Sequence, residues 1–347
     1  MNEKLLERVI NTPGVSGYED EAQKLVKEVL QQSCDEVRVD RMGNVIGLKK
    51  AAKPPAGPAR PLRVLLAAHV DEIGMMVKYI EDSGFIRFGA VGGLSTQAIV
   101  SQRVIIHGRE PVNGVVAPNF SADNKDKPSQ VKDLLIDAGM SKDALCKLID
   151  VGDIITFAQE LVKLNDKVYM GRNFDDRIGT YCMLEAMNQL GPTVADVYAV
   201  STVQEEVGIR GMPVAAFAIE PDMGLAIDGS MTAGPYLAAH ENLCAVGKGT
   251  GIYIMDGLTI GSSRLVRFLF DLCSRYEIPF QKNIGGGTDA SALQRSRAGV
   301  LATTVGAPVR YMHSTVQLCH ADDMEATVAL LKTFLEHAHE LPDEGTL

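Results

Sequence analysis

The sequence contains no tryptophan, and aromatic residues make up only 5% of its 347 positions. Stacking platforms for sugars or nucleobases are therefore scarce. Cysteine is sparse as well: Cys34, Cys146, Cys182, Cys244, Cys273 and Cys319 are scattered and form no C-x-x-C pair. That spacing argues against a zinc ribbon or a dithiol redox centre, and the thiols read as small core residues of a reduced compartment. No block of Lys and Arg occurs, and 34 basic against 44 acidic residues leave a formal charge of −10. Nucleic acid, which needs a concentrated basic face, is set aside as a partner. No apolar run approaches the ~20 residues that cross a bilayer, and Met1–Arg8 mixes charges where a signal peptide would be apolar. A soluble cytoplasmic protein without a membrane partner is expected.

What is present is enough apolar sequence, 46% of the chain, for two domains or for one large α/β domain carrying an insertion. Apolar residues between positions 3 and 32 recur at helical spacing and are interrupted by Pro13-Gly14, which predicts two helices joined by a turn. Val64–His69 is a continuous apolar run of the buried-strand kind, and Lys50–Pro61 before it reads as a surface loop. From Met75 to Val168 the chain breaks into short strand-like pieces punctuated by glycine. After Arg172, helices are predicted over Asp176–Leu190, Met212–Ile219, Ser263–Tyr276 and Met324–His339, and strands over Asp196–Val203, Met223–Ile227 and Gly299–Val305. The alternation predicts an α/β fold with a mostly parallel central sheet flanked by helices. A small β-rich domain at 74–168 is then an insertion into a discontinuous domain formed by 1–73 and 169–347.

Polar residues gather where such a sheet would place a ligand, beyond the carboxyl ends of its strands. Val64–Ala68 ends in His69-Val-Asp71-Glu72, Asp196–Val203 in Gln204-Glu205-Glu206, and Met223–Ile227 in Asp228; Gly299–Val305 leads on to His313, and Asn173-Phe-Asp175-Asp176 opens a helix. Any one of these groups alone is more simply read as a helix cap or a solvated acid. Together they place two acidic pairs near one edge, and divalent cations would relieve their repulsion. His69 and Asp71 lie two apart on a strand end and share a side, so Asp71 can hold the second ring nitrogen of a ligating His69. The donors are imidazole and carboxylate without thiolate, which suits Zn, Co or Mn. Of the neighbours Glu205 and Glu206, one can bind metal while the other serves as general base.

At these residues the sequence resembles the M42 family of dinuclear metallo-aminopeptidases. The segments that carry the likeness are Thr12–Glu19, Ala68-His-Val-Asp-Glu-Ile-Gly74, Phe174–Arg177, Gln204-Glu-Glu-Val-Gly208, Ile227-Asp228, Gly285-Gly-Gly-Thr-Asp-Ala290 and Arg310-Tyr-Met-His-Ser314. They occur in order along essentially the whole chain, with the β-rich insertion where the family has its dimerisation domain. The resemblance implies two divalent metal ions per subunit, Zn or Co first and Mn as an alternative. It implies His69 and Asp228 on one metal, Glu206 and His313 on the other, and Asp175 bridging them. Asp71 would orient His69, Glu205 would be the catalytic base, and Asp176 would be the non-ligating half of its pair. The expected activity is removal of the N-terminal residue from peptide substrates by activated water. Homo-oligomers are implied, as dimers and often as a twelve-subunit tetrahedral shell.

Two departures stand out. Gly171-Arg172-Asn173 replaces the usual Gly-Lys, and Ser314-Thr315-Val316-Gln317 replaces Ser-Pro-Val-Glu, removing an acid. His320 lies close to His313 in sequence, and spacing alone leaves it open as a ligand. The rival readings are a glycoside hydrolase using the Glu205 and Glu206 carboxylates, and an inactive metal-binding assembly protein. Adjacent residues on an extended strand point to opposite faces, which counts against the first, since glycosidase carboxyls must flank the scissile bond. Gly247-Lys-Gly-Thr-Gly251 lacks the leading glycine and the Ser/Thr of a phosphate loop and is read as a turn between strands.

Overall fold

The computed structural model describes residues 1–52, 60–118, 130–232, 238, 240 and 243–341. Positions 53–59 of the expected Lys50–Pro61 loop lie outside the described residues. The central sheet contains β1 (Glu36–Val39), β2 (Val45–Lys49), β3 (Arg63–His69), β12 (Asp196–Thr202), β13 (Met223–Ile227), β15 (Thr250–Met255), β16 (Phe280–Ile284) and β17 (Leu301–Gly306), in the order β1-β2-β12-β3-β13-β17-β15-β16. The pairings β12–β3, β3–β13, β13–β17 and β15–β16 are parallel, while β1–β2, β2–β12 and β15–β17 are antiparallel. The sheet is thus mixed, where a mostly parallel one was expected. Helix-linked strands produce the alternation that sequence reveals, whereas β1 and β2 are joined by a short turn, which forces an antiparallel pair.

Six further strands close into a barrel: β4 (Gly74–Ile80), β5 (Ile86–Val91), β6 (Arg103–His107), β7 (Pro111–Ala117), β8 (Leu135–Asp137) and β9 (Ile154–Phe157). Two short helices, α3 (Thr96–Ile99) and α4 (Lys142–Leu148), accompany it. Its core is separate, built from Met75, Ile86, Val104, Ile106, Ile136 and Ile155 among others. The barrel begins five residues after His69, so the chain leaves the central sheet at the point where its polar edge starts. It returns through a small sheet of β10 (Val162–Lys163), β11 (Val168–Gly171), β14 (Ser230–Thr232), β18 (Pro308–Arg310) and β19 (Gln317–His320).

Helices α1 (Glu3–Asn11), α2 (Asp20–Leu30), α5 (Phe174–Gln189), α6 (Gly211–Ile219), α7 (Ser263–Arg275), α8 (Ala290–Gln294) and α9 (Ala321–His337) cover the sheet. In α1 the residues Leu5, Leu6, Val9 and Ile10 form one buried stripe, and Asn2 caps its start by accepting the Leu5 N–H at 3.2 Å. Helix α5 is buried on nearly every side, because it packs on β3 and is covered by α1 and α9. Its apolar residues therefore run all round the helix, as in a core helix. No helix among the described residues is long and apolar enough to cross a membrane.

Candidate metal centre

Strands β12, β3, β13 and β17 lie side by side and run parallel, so their carboxyl ends share one edge. That edge brings together His69, Asp71, Glu205, Glu206 and Asp228, and α5 adds Asp175 and Asp176 from its first turn. The chain following β18 brings His313. His69 Nδ1 lies 3.1 Å from the Asp71 main-chain oxygen and 3.5 Å from its carboxylate, while Nε2 faces Asp175 Oδ1 at 3.2 Å. His313 Nε2 is 3.3 Å from the other oxygen of Asp175 and 3.7 Å from Glu206 Oε2. Asp175 thus presents one oxygen to each imidazole. Glu205 Oε2 stands 4.0 Å from His69 Nε2.

Among the described residues, two sets offer ligand atoms within 4.8 Å of one another: His69, Asp175 and Glu206; and His69, Asp176 and Asp228. Asp176, expected to be the non-ligating half of its pair, lies among these donors beside His69 and Asp228. One of its oxygens accepts the Gly179 N–H at 3.0 Å, and the other is buried without a hydrogen-bond partner.

Burial and mutual repulsion set the electrostatics of this acid cluster. Burial drives the carboxyls of Glu206, Asp228 and Asp176 well above the ordinary range, and the Asp175 charge adds to this for each. Glu205 is pushed up to about 8 by burial and by the charges of Asp289, Asp175 and Asp71, against the pull of His69. Asp175 goes the other way: burial opposes ionisation, but the two imidazoles hold it low. Burial would depress His69, yet Asp175 and Asp71 raise it well above the usual imidazole range. His313 rises to about 9, chiefly through its bond to Asp175. An orphaned buried oxygen and a donor set of imidazoles and carboxylates fit divalent metal ions.

Several supporting contacts had no signal in the sequence. Asp71 accepts the Ser16 hydroxyl at 2.6 Å and the main-chain N–H groups of Glu205 and Glu206 at 2.9 and 3.1 Å. It therefore holds the glutamate loop as well as facing His69. Gln317 Oε1 accepts the Asp175 N–H at 2.8 Å, so the amide at this departure from the family pattern retains an acceptor. Arg172 donates to both oxygens of buried Glu72 at 2.8 and 3.2 Å, and Asn173 and the Gly14 N–H bond the same carboxylate at 3.1 Å each. This network fixes the turn before Asp175 and explains why a forked donor serves there. His320 lies elsewhere, with Nδ1 accepting the Asp322 N–H at 3.2 Å as the cap of α9. In the Gly247–Gly251 segment, the N–H groups of Gly247 and Gly249 donate to the Asp323 carboxylate at 2.6 and 2.7 Å. The protein's own acid fills the donors that a phosphate would use.

Comparison with known proteins gives a consistent result. The family model for M42 glutamyl aminopeptidase matches residues 43–330. The lysyl aminopeptidase of Pyrococcus furiosus is 35% identical over 345 residues, covering 96% of each chain. An aminopeptidase from the archaeon Desulfurococcus kamchatkensis superposes with a TM-score of 0.93 at 34% identity, covering 99% of this chain and 98% of the other. The TET1 peptidase of Pyrococcus horikoshii, which can assemble into a tetrahedron or a large octahedral shell, gives 0.84 at 30% identity, covering 96% and 98%.

Proposed function

This chain belongs to the M42 glutamyl aminopeptidase family, and on that premise we propose that its polar sheet edge is a two-metal centre for removing N-terminal residues from peptides. The observation that carries the reading is Asp175, whose two oxygens face His69 and His313 separately. We assign His69 and Asp228 to one cation, Glu206 and His313 to the other, and Asp175 to both. Zn and Co are the first candidates and Mn is the alternative. Two such cations would act as Lewis acids and lower the pKa of water toward ~7. Asp71 orients His69 through its second ring nitrogen and holds the loop that carries both glutamates. Glu205, whose Oε2 lies 4.0 Å from His69 Nε2, takes the proton of the attacking water and delivers it to the departing amine. The cationic α-amine of the substrate is drawn to the surrounding acids, which favours exopeptidase over endopeptidase action.

By the same premise the chain forms homo-oligomers, with 74–168 as the inserted dimerisation domain and 1–73 with 169–347 as the catalytic domain. The tetrahedral and octahedral assemblies of the Pyrococcus horikoshii relative support this reading. The test is a panel of aminoacyl-p-nitroanilides with Zn, Co or Mn, before and after chelation, alongside an aryl glycoside. Chelator-sensitive release from the anilides alone is expected; cleavage of the glycoside, or anilide turnover indifferent to metal, overturns the reading.

A further inference from the structure

At the carboxyl end of α7, three side chains from two separate stretches form a relay far from the metal centre in sequence. Tyr276 Oη lies 2.7 Å from His337 Nε2, and His337 Nδ1 lies 2.5 Å from Glu340 Oε1. The rings of Tyr276 and His337 are 5.1 Å apart and tilted by 36°. His337 sits at the end of α9, where it packs on Tyr276 and Glu340. Arg275 completes the group, bonding Glu340 at 3.0 Å with its guanidinium 5.5 Å from the Tyr276 ring centre.

The direction of the relay follows from donor chemistry. His337 and Arg275 hold the Glu340 carboxyl below its ordinary range, so it is an acceptor only. Nδ1 of a neutral His337 must then carry the ring proton, which leaves Nε2 as an acceptor aimed at the Tyr276 hydroxyl. This is the order of nucleophile, base and orienting acid that activates a weak hydroxyl. We propose that Tyr276 is a nucleophilic modification site that takes acyl groups from activated carboxylic esters. The phenolic oxygen forms a bond to the acyl carbon, the bond to the aryl oxide leaving group breaks, and the phenolic proton passes to His337 Nε2. The products are an O-acyl tyrosine and the aryl oxide.

The molecule supplies its own controls. Tyr276 is 46% exposed, and Tyr18, Tyr79 and Tyr311 are 47%, 50% and 47% exposed. Among the described residues none of those three is bonded to a histidine, so exposure is matched and the relay is the difference. The experiment treats the full-length, metal-loaded protein with p-nitrophenyl acetate and follows acetylation at each tyrosine by peptide mass mapping. Tyr276 should acetylate about tenfold faster than the other three, below the ~10²–10⁴ of general-base catalysis in a closed site because water surrounds it. His337→Gln should bring Tyr276 to the rate of the controls and Glu340→Gln should lower it part of the way, with anilide hydrolysis unchanged in both. Parity of the four tyrosines in the wild type, or a Tyr276 rate indifferent to His337→Gln, overturns the proposal.

Discussion

The main-chain oxygen of Gly93 lies 3.2 Å from His313 Nδ1, joining a barrel loop to the candidate metal centre across 220 positions of sequence. The bond fixes Nδ1 as the protonated nitrogen and turns Nε2 toward Asp175 and Glu206. A Cβ at Gly93 would stand 2.6 Å from Nδ1, so Gly93→Ala must displace the imidazole. We expect metal affinity to fall by ~10–100-fold, the usual effect of disturbing a ligand's outer partner. Competition with a graded chelator measures this, and unchanged affinity would show that the barrel loop does not orient His313.

Gln317 Oε1 holds Asp175 by accepting its main-chain N–H at 2.8 Å. Gln317→Ala leaves that buried donor unpaired, which costs about 1–3 kcal/mol. Urea denaturation should register the loss, and metal content should fall with it. Gln317→Glu keeps an acceptor, so retention of both quantities in that variant is the expected contrast.

Glu205→Gln should bind metal at wild-type stoichiometry while kcat falls by ~10²–10⁴, the span of general-base catalysis. Turnover equal to wild type on an aminoacyl-p-nitroanilide would remove Glu205 from the reaction.

His313→Ala and His320→Ala separate two histidines only seven positions apart. The first should lose metal with modest change in fold stability. The second should keep full stoichiometry and lose about 1 kcal/mol, the worth of a helix cap. Metal analysis and thermal melts give both numbers, and metal loss in His320→Ala would reverse the assignment.

Glu19 links the turn after α1 to the glutamate loop, its Oε1 accepting the N–H groups of Gly17 at 2.7 Å and Gln204 at 3.1 Å. Burial, aided by the Asp71 charge, raises its carboxyl from 4.5 to about 7. The folded state therefore holds this proton over a pH range in which the unfolded chain has released it. Its contribution is complete below about 4.5 and is lost as pH rises through about 7. Chelated wild type should lose Tm over that interval relative to Glu19→Gln. Parallel melting curves would contradict the shift.

Much of this was legible because burial and strand ends leave marks in sequence. Met223–Ile227 is observed with the bounds its apolar run predicts, and Asp228 follows it directly. The acids and imidazoles announced themselves by accumulating after such runs. Asp176 was harder to place, because adjacency to Asp175 says nothing about which oxygen meets which neighbour. Gly93 left no mark because it acts through its carbonyl, and Gln317 stood out only as a departure from the family pattern, its contact resting on a single amide oxygen; both partners are more than 140 positions away. The mixed sheet escaped because no strand is predicted at β15 or β16, and the antiparallel β15–β17 pairing joins segments far apart in sequence.

Strand β17, the last of the central sheet to be synthesised, is an internal one, lying between β13 and β15. It fits so closely that a Cβ at Gly306 would fall 1.7 Å from the Asp228 carbonyl oxygen. Until the ribosome has released residue 306, the nascent chain therefore lacks the strand that joins β13 to β15, and the edge of β13 that β17 covers stays unpaired. Open edges of this kind recruit strands from other chains. A polypeptide cut short before that point would be a substrate for chaperones and quality-control proteases rather than a smaller enzyme.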